Sequence, residues 1–308
     1  MPKNQQRTSI KVTPIVTVVI PTYNHAHFLG SALRSLRAQT FANWEAVVVN
    51  NYSQDDTVSV VESFRDPRIR LENFQNGGII AASRNRGIKL ARGRYVAFLD
   101  SDDVWYPEKL AHCIVRLEEG YDLVCHGLRW VRENGARDVF YGPAKRASFD
   151  SLLYNGNCIA TSATMVLRDA LKSVAGFSED SKIVTAEDYH LWMKLARVGA
   201  RMGFLHEILG EYRFHADNQS GAVLRHMAAV RCVVTSFFDE VPQSSLWGRM
   251  RNRRRLGIVY YSAARGLQDN KQFGAAWPWF LRALKCWPFF ARTHGALILN
   301  VIRRGPHS

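Results

Sequence analysis

Three carboxylates crowd one short stretch: Asp100, Asp102 and Asp103 follow directly on the apolar run Tyr95 to Leu99. Charges of one sign this close repel, and such a trio seldom arises for stability alone. A divalent cation relieves the repulsion, because carboxylate oxygens are the hard ligands it takes. The competing reading is a solvated acidic turn ahead of the helix that Pro107 begins, since acidic side chains favour helix N-termini. A second acidic pair, Glu187-Asp188, opens the run Tyr189, Leu191, Trp192, Leu195. It reads either as compensation of the helix dipole or as a general base that accepts the proton of an attacking hydroxyl. Tyr212-Arg213-Phe214-His215 ends a predicted strand. Arg213 and His215 could touch a diphosphate or the metal; the plainer alternative is a surface arginine and a satisfied histidine. Arg84 and Arg86 lie on the helix after Gly77-Gly78, near the presumed phosphates, with a surface helix face as the alternative. Tyr23 could stack on a base or simply pack in its loop.

The elements that must position these groups follow from periodicity. Ile15 to Ile20 is a β-branched run ended by Pro21 and reads as a buried strand. Phe28, Leu29, Ala32, Leu33 and Leu36 recur at helical spacing. Trp44 to Val49 predicts a second strand, followed by a polar break and a helix to about Phe64. Arg68 to Glu72 predicts a third strand, Ile80 to Ala91 a helix, and Tyr95 to Leu99 a fourth strand. Strands alternating with helices indicate βαβ units and a mainly parallel sheet. Ligands in such sheets bind beyond the carboxyl ends of the strands. Thr22-Tyr23-Asn24, Asn50-Asn51 and Asp100-Ser101-Asp102-Asp103 stand at those ends. From Tyr121 to Phe214 the signals mix. Beyond Ser220 they become helical over Val223 to Phe238, Leu246 to Gly266, Gln272 to Cys286 and Phe289 to Ile302.

The bulk composition narrows the classes. A hydrophobic fraction of 47% and a charged fraction of 22% suit a folded globular chain and argue against disorder. The polar, basic first thirteen residues lack an apolar core, so no secretory signal peptide is expected. No run reaches the ~18 apolar residues of a membrane span. Cys113, Cys125, Cys158, Cys232 and Cys286 are odd in number and scattered, which fits a reduced cytoplasmic protein. The net charge of +14 is concentrated late: residues 223–308 hold 14 Lys and Arg against Asp239, Glu240 and Asp269. A basic tail implies an anionic neighbour.

Taken in order, the segments resemble the family 2 glycosyltransferases of GT-A fold. Pro21-Thr22-Tyr23-Asn24 is similar to the opening P-x-Y-N. Asn76-Gly77-Gly78 with Ala82-Ser83-Arg84-Asn85-Arg86-Gly87 resembles the N-x-G and A-R-N-x-G segment. Asp100-Ser101-Asp102-Asp103, with Trp105, Pro107 and Lys109, resembles the D-x-D region. Gly176-Phe177 followed by Glu187-Asp188 and Leu191-Trp192 is similar to the G-F and E-D-x-x-L-W block, and Tyr212-Arg213, His215 and Ser220 to the terminal Y-R-x-H and S. The match covers residues 14–220.

The resemblance implies inverting transfer of a sugar, hexosyl or N-acetylhexosaminyl, from a nucleotide diphosphate donor to an acceptor hydroxyl. Cell-surface polysaccharide, lipopolysaccharide or glycolipid assembly is the implied setting, and the acceptor a saccharide or lipid-linked sugar. Tyr23, Asn24 and the Asn50 region would hold the nucleoside, and Pro21, Asn76, Arg84, Asp100, Asp102 and Arg213 would complete the nucleotide-sugar site. Asp102, with Asp100 or Asp103 and with His215, would hold Mn2+ or Mg2+. Asp188 would be the base, with Glu187 beside it. One departure concerns the nucleotide: Asn50 stands where the family usually has an aspartate that contacts uracil. An amide can still accept an imide N–H and donate to a carbonyl. A UDP-sugar is the first expectation, with thymidine and guanosine donors open.

The expected organisation is a disordered segment 1–13, the transferase domain 14–220, and a basic, aromatic-rich helical region 221–308. Arg249, Arg251 and Arg253-Arg254-Arg255 interleaved with tryptophans fit peripheral attachment to an anionic membrane surface from the cytoplasmic side. The alternative is helices that only pack on the core. Two rival functions are a catalytically inactive nucleotide-sugar-binding or scaffold protein and a basic nucleic-acid-binding module. The second leaves the three strand-end carboxylates unexplained, so no nucleic acid is expected.

Overall fold

The computed structural model describes residues 13–215, 223–238 and 245–303. The predicted disordered segment, apart from its last residue, and Ser220 lie outside the described residues. The first half alternates as expected: β1 (Val16–Thr22), α1 (Ala26–Arg37), β2 (Trp44–Asn50), α2 (Thr57–Ser63), β3 (Ile69–Asn73), α3 (Ile80–Leu90) and β4 (Tyr95–Phe98). A short β5 (Val104–Trp105) and α4 (Lys109–Glu118) follow, then β6 (Leu123–Arg132), β7 (Gly135–Val139) and α5 (Phe149–Asn155). The remainder is β8 (Thr164–Leu167), α6 (Arg168–Ser173), α7 (Glu187–Arg197), β9 (Met202–Arg213), α8 (Val223–Phe238), α9 (Leu246–Asp269), α10 (Phe273–Cys286) and α11 (Ala291–Arg303).

Among the described residues the strands form one sheet in the order β3-β2-β1-β4-β8-β6-β9-β5, with β7 paired to β6. The β3-β2-β1-β4 half is parallel, so its carboxyl ends share one edge, where Thr22 lies beside Asn50 and Asn50 beside Asn73. Beyond β4 the sheet is mixed: β8 runs antiparallel to β4 and to β6, while β9 runs parallel to β6. This is a mixed α/β architecture with a helical C-terminal region.

Two apolar clusters sandwich the sheet, and the two-residue side-chain period of β1 feeds both. Val16, Val18 and Ile20 join Leu29, Leu33 and Leu36 of α1 and Leu110 and Leu117 of α4. Val19 joins the opposite cluster with Ala81 of α3, Leu152 of α5 and Leu191, Trp192 and Leu195 of α7. Gly87 lets α3 lie close on β1, because a Cβ there would stand 2.3 Å from Val19 Cγ1. Helix α8 buries Ala229, Val233, Val234 and Phe237 in the same cluster as α5 and α7, so the helical region is continuous with the core. Helices α9, α10 and α11 add a small cluster of Ala264, Leu267, Ala276, Phe280 and Ala296.

Candidate active site

A cavity of about 920 Å³ opens at the carboxyl edge of the parallel strands. Its wall takes Pro21, Tyr23 and Asn24 from the end of β1, Asn51 after β2, Asn76 from the approach to α3 and Arg84 from within that helix. Asp100, Ser101, Asp102 and Asp103 enter after β4, and Glu187 and Asp188 at the start of α7. Two acidic segments separated by more than eighty residues therefore share one space. The volume lies toward the upper end of the roughly 300–1,000 Å³ of small-molecule sites.

Arg84 joins the two segments. Its Nη2 donates to Asp100 Oδ1 at 2.8 Å and its Nη1 to Glu187 Oε1 at 2.7 Å. The guanidinium is 5% exposed, and the two carboxylates hold its pKa above the ordinary value against the opposing pull of burial. Glu187 is thereby consumed: its second oxygen accepts from the Thr185 backbone N–H at 2.7 Å. Its place is to fix Arg84 and the entry to α7.

Asp188 is differently placed. It accepts from Thr161 Oγ1 at 3.0 Å and from its neighbour Tyr189 N–H at 2.6 Å. Burial first, and the charge of Glu187 second, push its carboxyl up to about 6, while Arg84 and the two hydrogen bonds oppose the rise. A carboxylate poised this close to neutrality suits proton transfer better than one at its ordinary 3.8.

The three aspartates after β4 have separate surroundings. Asp100 pairs with Arg84, and its N–H donates to Ser162 Oγ at 3.0 Å. Asp102 Oδ2 meets His215 Nε2 at 2.9 Å. Asp103 is buried; Oδ1 faces the Arg213 N–H at 3.4 Å, and Oδ2 has no hydrogen-bond partner among the described residues. Burial, then the charges of Asp102 and Asp100, raise the Asp103 carboxyl well above its ordinary range. Among the described residues no group of three or more His, Cys, Asp or Glu is assembled as a metal cage.

Several residues singled out from sequence stand apart from the cavity. Asn50 is 1% exposed and lies behind the wall, where Nδ2 donates to Asn73 Oδ1 and Oδ1 accepts from the Ser53 hydroxyl and N–H. A strand-end position in the middle of a parallel sheet is buried by its neighbours, and the next residue, Asn51, turns into the cavity instead. The Arg213 guanidinium is directed to Glu211, at 3.0 Å, so only its main chain reaches the acidic cluster. Asn24 and Asn76 do line the cavity, but their side-chain oxygens hold its loops: Asn24, at φ 51°, accepts from the Gln54 N–H, and Asn76 accepts from the Gly78 N–H. Arg86 pairs with Glu72, outside the cavity lining.

Other lining residues escaped sequence reasoning. His25 donates or accepts across 2.8 Å to Ser101 Oγ, and Thr161 holds Asp188. Trp130 and Tyr141 complete the wall, beside Tyr212 of the Y-R-x-H segment already singled out. Adjacency to the P-x-Y-N motif was a signal for His25; Thr161 had none, because the fold alone brings it to α7.

Comparison with known proteins places the chain in a family. Residues 17–175 match the family described as Glycosyl transferase family 2. The chain belongs to that family. It is a glycosyltransferase, and further likenesses bear on its fold and relatives. The β-1,3-glucosyltransferase WfgD of Escherichia coli, named for UDP-Glc and α-D-GlcNAc-diphosphoundecaprenol, is 33% identical over 59% of this chain and 70% of its own. An uncharacterized glycosyltransferase of Rickettsia felis is 29% identical over 76% of this chain, which spans only 40% of that relative's length. Among solved structures, Staphylococcus aureus TarS 1–349 in complex with UDP-GlcNAc aligns with a TM-score of 0.60 at 20% identity, covering 82% of each chain. Mannosyltransferase PcManGT of Pyrobaculum calidifontis, in complex with GDP-Man and Mn2+, aligns at 0.59 and 19% identity, covering 95% of this chain and 86% of that one. At these identities the two structures establish the GT-A fold.

Proposed function

We propose that this glycosyltransferase moves a hexosyl or N-acetylhexosaminyl group from a UDP-sugar to a lipid-linked saccharide hydroxyl, with inversion, in cell-surface polysaccharide assembly. The observation that carries the reading is the single cavity lined by both Asp102 and Asp188, with Arg84 spanning the segments that bear them. The name of WfgD, which gives a UDP-Glc donor, a diphosphoundecaprenol-linked acceptor and a β product, supports the choice of substrates.

Asp188 serves as the base. Its carboxylate accepts the proton of the attacking acceptor hydroxyl, and the two hydrogen bonds from Thr161 and Tyr189 keep its oxygens oriented toward that task. Arg84 holds Asp100 and Glu187 in place, so the cavity is shaped before the donor arrives and less orientation is lost on binding. Tyr23, 53% exposed at the end of β1, offers a face on which a base can stack, with the Asn51 side chain beside it.

The residues fit a divalent cation. Asp103 Oδ2 is a buried oxygen with no hydrogen-bond partner among the described residues, and Asp102 Oδ2 and His215 Nε2 meet nearby. Asp102, with Asp103 or His215, would hold the ion, and the donor's diphosphate and water would supply its other ligands. Such an ion would supply Lewis-acid stabilisation of the charge left on the departing diphosphate. Asp100, being committed to Arg84, supports the site from behind.

The test is a transfer assay pairing UDP-glucose, UDP-N-acetylglucosamine, GDP-mannose and dTDP-glucose in turn with a GlcNAc-diphospho-lipid acceptor and Mn2+. Product with a UDP-sugar is expected, in the opposite anomeric configuration to the donor. Transfer only from the guanosine or thymidine donor would overturn the nucleotide assignment, and a retained configuration would overturn direct displacement.

A further inference from the structure

Helix α11 is built inside out. Its buried positions are Thr293, Ala296 and Asn300, the first and last fully buried, whereas Ile298, Leu299, Val301 and Ile302 are exposed, Ile302 at 68%. The orientation is held by a polar seam. Gln268 Nε2 of α9 donates to Ala296 O at 3.0 Å and to Asn300 Oδ1 at 3.2 Å, and Asn300 Nδ2 donates to Phe273 O at 3.0 Å. Rotating α11 to bury its isoleucines would break all three bonds and leave Gln268, 2% exposed on α9, without those partners. The seam holds the apolar face outward.

The same presentation continues into the preceding elements. Trp277 and Leu281 are exposed one turn apart on α10, and Phe289, in the link to α11, is 79% exposed. No acidic residue follows Asp269, while Lys271, Arg282, Lys285, Arg292, Arg303 and Arg304 all do. Among these, Arg282, Lys285 and Arg292 are exposed on or beside the apolar stretches. Apolar side chains interleaved with cations and free of anions match a leaflet of anionic phospholipid, in which the chains insert and the cations meet headgroup phosphates. A second copy of this chain is a poorer occupant, since pairing like faces would bring cations against cations. No helix among the described residues is long and apolar enough to cross a membrane, so attachment here would be to the surface.

We infer that α10, α11 and the link between them form a docking surface for an anionic lipid bilayer, with Ile298, Val301, Ile302 and Phe289 entering the interface. The inference goes beyond the transferase reading and stands apart from it, because none of these residues lines the cavity. It would bring the active site to a lipid-borne acceptor.

The test is flotation of the full chain with phosphatidylcholine vesicles containing about 30% phosphatidylglycerol, against phosphatidylcholine alone. The protein is expected to float with the anionic vesicles only, and less as salt is raised. Ile298→Ser/Ile302→Ser should weaken partitioning about tenfold or more, with an unchanged melting temperature and unchanged donor hydrolysis in solution. Arg282→Gln/Arg292→Gln should also weaken it. Equal flotation of the serine variant and the parent would overturn the proposal, as would flotation that ignores lipid charge. A dimer seen by analytical ultracentrifugation and abolished by the serine variant, without vesicle binding, would assign the face to a second copy. Donor hydrolysis on the same preparation separates a failure here from a failure of the transferase reading.

Discussion

Asp188→Asn should make the protein more stable and less able to transfer sugar. The carboxyl is raised from 3.8 to about 6 by burial and by Glu187. A carboxyl that is harder to ionise in the folded chain penalises the native state wherever it is ionised. Below 3.8 both states are protonated and there is no penalty. Between 3.8 and about 6 the unfolded chain ionises first and the penalty grows; above 6 it is constant. Its size is about 3 kcal/mol at neutral pH. An asparagine removes that charge but its single oxygen can keep only one of the bonds from Thr161 and Tyr189. Losing the other costs about 1 kcal/mol. The net gain of about 2 kcal/mol corresponds to a melting temperature raised by about 4 °C for a chain of this size. Thermal melts of both proteins from pH 4 to pH 8, in chelator, would measure it. The gap should be small at the acid end, open through the interval up to 6 and stay flat above. A gap that does not change with pH, or a variant less stable than its parent at pH 8, would refute the assigned environment of Asp188.

Other outcomes follow from the same contacts. Transfer by the parent enzyme should fall as pH drops through about 6, where Asp188 takes up a proton; a rate that holds to pH 4.5 would remove it as base. Arg84→Met strips the buried partner from Glu187 and should destabilise by about 3–5 kcal/mol in chemical denaturation. In that variant the acid limb of the rate profile should move to higher pH, because Arg84 opposes the rise at Asp188. Gly87→Ala drives a Cβ into Val19 at the α3–β1 contact and should cost about 1–3 kcal/mol by urea unfolding, with the donor affinity of the folded fraction little changed.

The parallel half of the fold was legible because its strands are short, β-branched and separated by amphipathic helices, and all four appear within two residues of their expected ends. The insertion of β8 between β4 and β6 was not, since Thr164 to Leu167 pairs with residues about forty to seventy positions earlier and nothing local announces that partner. At the site, acidic character was readable and side-chain direction was not. Asn50 and Asn51 are the same residue type side by side, yet sheet burial turns one inward to Asn73 and Ser53 and the other into the cavity. Arg213 was plausible by charge, but Glu211 two residues earlier on β9 lies on the same face and takes its guanidinium. Arg84 lines the cavity, but its two ion-pair partners, Asp100 and Glu187, could not be read from charge alone. The basic tail was visible as charge, whereas the outward isoleucines of α11 depend on a polar seam that only packing shows.

The division of labour between the two acidic segments is tested most directly by titrating UDP, with Mn2+ or with chelator, into Asp102→Ala and Asp188→Asn and assaying each for transfer. Asp188→Asn should bind UDP with the parent's dependence on the metal and transfer at least about a hundredfold more slowly, while Asp102→Ala should lose the metal-dependent part of binding. Unchanged metal-dependent binding by Asp102→Ala, or normal transfer by Asp188→Asn, would contradict the account.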